Sequence, residues 1–118
     1  MISLSRSTAA MLIALTATAA AESSPRTSAD MLLPGCEILI GADPRGSAEL
    51  LADAGHCYGL IEGLSYASRA LGFCPPADAT LAQMARVIIA YIEARPERMH
   101  ENLPALAVEA QRRVWPCT

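Results

Sequence analysis

His56 and Cys57 are adjacent, and a thiol beside an imidazole is a pairing that can generate a nucleophilic thiolate. That chemistry needs a reduced, partly exposed thiol. Cys57 instead falls on the apolar side of a helical pattern, as one of four cysteines with Cys36, Cys74 and Cys117. The even number reads as two disulfides if the chain is exported. Zinc is the other chemistry open to His56 and Cys57. However, the chain has no C-x-x-C or H-x-x-x-H pair, so ligands would have to come from scattered positions. Ser65 and Ser68 have no base near them in sequence, and the carboxylates are too dispersed for an acid/base pair. Gly55, Gly59 and Gly63 recur at helical spacing, unlike the strand-to-helix turn of a phosphate loop. No catalytic residue, metal ligand or cofactor is assigned, and a binding or structural protein is expected rather than an enzyme. Arg98, His100 and Glu101 form a polar cluster suited to contact with a partner.

These residues belong to a chain of 118, the size of one domain. Residues 1–21 have the composition of a signal peptide. Arg6 is the charged start, Ala9–Ala21 is apolar or small, and Ala19 and Ala21 satisfy the small-residue rule before Glu22. That apolar run is too short to span a membrane, which takes roughly 20 residues, and no membrane span is expected. Removal of residues 1–21 would leave 97 residues, small enough to need a covalent staple, with a periplasmic location as the expectation. Beyond residue 21 there are eight arginines, no lysine and twelve carboxylates, a net charge of −4. No basic stripe with interleaved aromatics appears, so nucleic acid is not an expected partner.

Residues 22–28 are polar, contain Pro25, and read as a disordered leader. From residue 29 to 118 the periodicity predicts an all-α domain of about four helices. The first covers about Asp30 to Ile40, capped by Asp30, and a loop follows at Gly41–Gly46. The second covers about Ser47 to Leu71. Its three glycines each cost about 1 kcal/mol of helix propensity against alanine. Close approach of another backbone would offset that, and a break near Gly55 is the alternative. Thr80-Leu81-Ala82-Gln83 matches a capping box and opens a third helix that Pro96 stops. The fourth starts at Asn102, with Leu103, Leu106, Ala107, Ala110 and Val114 inward and Glu109, Arg112 and Arg113 toward water.

Several ordered segments carry a resemblance to a known family. They are Met31-Leu32-Leu33-Pro34-Gly35-Cys36, Cys57 through Leu64, Cys74-Pro75, the capped Thr80–Gln83 segment, Val87 through His100, and Ala107 through Trp115-Pro116-Cys117. Together they resemble the Tai/Rap family, periplasmic immunity proteins that neutralise type VI secretion peptidoglycan amidases. The resemblance implies a small helical protein, typically a homodimer, that inserts a surface loop into the cleft of an amidase effector. The two loops that could do so here are Gly41–Gly46 and Glu97–Asn102. The second is preferred, with Arg98, His100 and Glu101 as candidate effector contacts, because arginine is a frequent anchor of interfaces. A general periplasmic stress protein, such as an acid-activated helical chaperone, is the other class compatible with a small, helical, disulfide-bonded chain.

Four cysteines allow three pairings. Cys57 and Cys74 lie about 25 Å apart if one continuous helix separates them. If the third and fourth helices run antiparallel, Cys117 returns level with Cys74. Cys36 is then left for Cys57.

Overall fold

A computed structural model describes residues 25–41 and 48–118. The expected signal peptide and the Gly41–Gly46 loop, apart from Gly41 itself, lie outside the described residues. Among the described residues there are five α-helices: α1 (Ala29–Leu39), α2 (Ala48–Tyr66), α3 (Ser68–Leu71), α4 (Leu81–Glu93) and α5 (Leu103–Val114). Among the described residues there is no strand, and two isolated bridges join Ser28 to Asn102 and Phe73 to Pro116.

The part of the expected leader that is described, residues 25–28, is built into the domain. Pro25–Thr27 form a single 3-10 turn, and Ser28 is buried. The cap of α1 also differs from expectation. The helix starts one residue before Asp30, and its first N–H groups are satisfied from across the fold. Ala29 N donates to Glu101 O and Asp30 N to Met99 O, both at 2.9 Å. Backbone carbonyls of a distant loop thus do what a side-chain cap does elsewhere.

α1 lies hard against α2. A Cβ built on Gly35 would stand 2.4 Å from the Asp53 carbonyl carbon, so only glycine permits this approach. At the next residue of α1, and one turn on from Asp53 in α2, the Cys36–Cys57 disulfide joins the two helices, both half-cystines being buried. The glycine face of α2 behaves oppositely to what was expected. Gly55, Gly59 and Gly63 meet nothing within 4 Å and are exposed, so no backbone packs on them, and the helix runs through Gly55 unbroken. The close approach expected at those glycines belongs to Gly35.

α2 ends at Tyr66, five residues short of the expected Leu71. The i to i−4 bonds nevertheless continue, from Ala67 N to Gly63 O and from Leu71 N to Ala67 O, so the chain bends there rather than stopping. Ser65 Oγ donates to the Ile61 carbonyl at 2.8 Å, a back-bond of the kind that bends helices. Gly72 closes α3 in the left-handed region (φ 83°), with Phe73 N donating to Ser68 O as in a Schellman motif. Phe73 itself is buried.

α4 begins with the full capping box: Gln83 N donates to Thr80 Oγ1, and Thr80 N to Gln83 Oε1. Its Met84, Ala85, Ile88, Ile89 and Ile92 are buried against α1, α2 and α5. α5 returns antiparallel. Gln111 reaches Met84 at one end of the pair and Glu109 reaches Tyr91 nearer the other. That brings Cys117 to Cys74, and the second disulfide forms there. Both pairings agree with those deduced from topology. Val114, expected inward, is half exposed at the C-terminal end of α5.

Candidate functional site

The connection from α4 to α5 carries all three candidate contact residues. It departs from α4 because Pro96 cannot continue the helix, and Pro96–Arg98 tighten into a 3-10 turn. Its far end is fixed by Asn102, which works in two directions. Oδ1 accepts from Ala105 N and caps α5, while Nδ2 donates to Thr27 Oγ1 at 3.0 Å. The amide bonds from Ala29 and Asp30 hold the same segment from the side.

Arg98 supplies the third restraint. Its Nε and Nη2 donate to the two Glu101 oxygens at 2.8 and 2.7 Å. Nη1 and Nη2 donate to Glu109 at 2.7 and 3.1 Å, and Nη1 also reaches the Tyr91 hydroxyl. The Tyr91 hydroxyl in turn donates to Glu109 at 2.8 Å. Nearby, the Arg95 guanidinium stacks 3.8 Å above the Tyr91 ring and donates to the Tyr91 carbonyl.

The electrostatics follow from this geometry. Hydrogen bonds from Arg98 and then from Tyr91 pull the Glu109 carboxyl down to about 2, and the Arg98 bonds likewise lower Glu101. Two carboxylates hold the Arg98 guanidinium protonated well beyond its usual range. The result is a cross-braced turn, with a forked cation tying the loop to α5.

The three candidates therefore share one loop but differ in freedom. Arg98 (26 % of its side chain exposed) and Glu101 are engaged with each other, while His100 is exposed on the turn. Sequence reasoning missed Tyr91, Arg95 and Glu109. The i, i+4 spacing of Tyr91 and Arg95 was a usable signal for the stacked pair. Glu109 carried none, because it arrives from the opposite helix.

Elsewhere, the thiol chemistry open to His56 and Cys57 is closed, since Cys57 is oxidised to Cys36. Among the described residues no group of three His, Cys, Asp or Glu is placed to hold a metal, and no helix is long and apolar enough to cross a membrane.

The family described as Rap1a immunity proteins matches residues 28–117. The chain belongs to that family. The match covers the loop and Glu109 of its brace, and begins one residue after Thr27. No curated protein and no solved structure matches the chain. Membership in the Rap1a family points to an effector immunity function and to a non-catalytic inhibitor.

Proposed function

We propose that this Rap1a protein is exported through a cleaved signal peptide and, in the periplasm, binds and inhibits a peptidoglycan amidase delivered by type VI secretion. The observation that carries this reading is the restraint on loop Pro96–Asn102. It is held by α1 amides, by Asn102 and by the Arg98–Glu101–Glu109 brace. A loop set before encounter loses little conformational entropy on binding, which a tight inhibitor needs. In this reading His100 and the exposed edges of Arg98 and Glu101 touch the effector, and the brace keeps them in register.

Co-expression with candidate amidases exported to the periplasm tests the proposal. Wild-type protein is expected to prevent lysis by at least one of them, and His100→Ala or Arg98→Ala to weaken protection. Neutralisation of none, or full protection by both variants, removes respectively the amidase and the loop from the proposal. A homodimer formed through the outward face of α2 belongs to the same proposal. That face carries Leu51, Tyr58 and Tyr66 beside the three open glycines, and all of them are exposed. A monomeric mass by light scattering across micromolar concentrations would remove it.

A further inference from the structure

α4 and α5 leave a groove of about 410 Å³ on their outer side, next to the braced loop. Its floor is apolar, with Val87, Ala90, Ala110 and half-exposed Val114. Its charged rim is of one sign: Arg86, Arg95 and Arg113, with no carboxylate among the lining residues. This is unusual in a chain whose formal charge is −3. Arg95 is partly committed to Tyr91, whose ring completes one wall. Arg86 and Arg113 are exposed and have no hydrogen-bond or ion-pair partner among the described residues.

A comparable cavity shows what is distinctive here. The groove near the α2–α3 bend, about 460 Å³, is lined by both Glu62 and Arg69, so its charges do not select one sign of ligand. The α4–α5 groove does select. Planar guanidinium groups around an apolar floor suit carboxylates that flank an apolar side chain, the side chain covering the floor while the carboxylates take bidentate bonds at the rim. The groove is also continuous with the loop, since Tyr91 both walls it and bonds Glu109 of the brace.

We infer that the α4–α5 groove docks an acidic segment of a partner polypeptide, with an apolar residue between its carboxylates. The inference deepens the immunity reading by naming the chemistry of the effector's contacting segment, and it rests on that reading for the partner's identity. Loop and groove then form one surface, the loop entering the effector and the groove receiving a strand or turn from it.

The test uses the oxidised protein and a synthetic hexapeptide of Glu and Asp around Leu and Phe, with its Gln/Asn counterpart as control. Binding is followed by amide chemical shifts. The acidic peptide is expected to shift Val87, Ala90 and Val114 saturably while the neutral one does not. Arg86→Glu with Arg113→Glu should weaken binding by about tenfold or more, because each exchange removes an exposed ion pair and sets like charges against each other. Arg86→Gln with Arg113→Gln, the milder pair, should weaken it less. Equal shifts from both peptides, shifts confined to another face, or binding to phosphatidylglycerol vesicles without peptide binding would each overturn the inference. The same variants separate it from the broader reading. If an exported amidase is neutralised equally by wild type and the Glu pair, the groove is excluded and immunity stands. If the acidic peptide binds as expected but no amidase is neutralised, the groove stands and the amidase reading does not.

Discussion

α2 has two faces that use small residues for opposite ends. On the inner face, Ala54, Cys57 and Ile61 are buried, and the helix meets Gly35 of α1 at van der Waals limits. On the outer face, Gly55, Gly59 and Gly63 stand open beside Leu51, Tyr58 and Tyr66. The glycine that packs is single and sits on the partner helix; the glycines that repeat do not pack inside the monomer. A helical glycine series marks a surface where close approach is possible. It does not say that the approach occurs within the same chain.

The largest effects should come from the inner face. Replacing Cys36 and Cys57 together by alanine is expected to lower stability by about 2–5 kcal/mol, read from chemical denaturation. Loss no greater than that of an exposed substitution would show that α1 and α2 hold without their staple. Mild reduction should open the Cys74–Cys117 bridge first, because Cys117 is exposed whereas Cys36 and Cys57 are buried. Mass mapping after timed alkylation reads the order.

Gly35→Ala comes next. Its methyl group would collide with Asp53 backbone atoms, which cannot swing aside as a side-chain end can. A cost of about 1–3 kcal/mol, the range for overpacking, is expected, with a matching fall in Tm.

The outer face should respond with the other sign. Gly59→Ala is expected to raise monomer stability by up to about 1 kcal/mol through helix propensity alone. Gly59→Leu should leave the monomer folded, since open space receives the side chain. A marked drop in Tm with either variant would mean that the face is covered. If it is covered by a second copy, light scattering would show the wild-type dimer and its loss in Gly59→Leu.

The smallest effect is electrostatic and lies at the other end of the molecule. Glu101 and Glu109 have folded-state pKa values below their ordinary value, with Glu109 at about 2. Their contribution is therefore present above the ordinary carboxylate range and is lost as pH falls toward 2. Both groups are exposed enough that the loss should be modest. Acid should raise hydrogen exchange at the Ala29 and Asp30 amides before it touches Ile61, and Glu109→Gln should flatten that dependence.

Much of this fold was readable because its determinants are local. The Thr80/Gln83 box and the Asn102 cap each act within three residues, so sequence spacing contains the whole interaction. The disulfide pairing was also accessible, because helix lengths and an antiparallel return restrict which cysteines can meet. The misreadings concern contacts between elements. Nothing in the vicinity of Gly35 announces Asp53, and nothing near Glu109 announces Arg98. The Asp30 cap was misassigned for the same reason: the groups that cap α1 belong to residues 99 and 101. At the candidate site, sequence placed Arg98, His100 and Glu101 on one turn. Which of them are tied down, and by what, depended on two helices meeting.

The bond between Thr27 and Asn102 spans 75 residues, and it belongs to the set that gives the loop its shape. Contacts of such separation close late, since the chain entropy they cost must first be offset by nearer ones. A molecule could thus hold its helices and both bridges while the loop is still unset. Binding to a partner would then report completed folding, and a newly made copy would protect nothing until Thr27 had found Asn102.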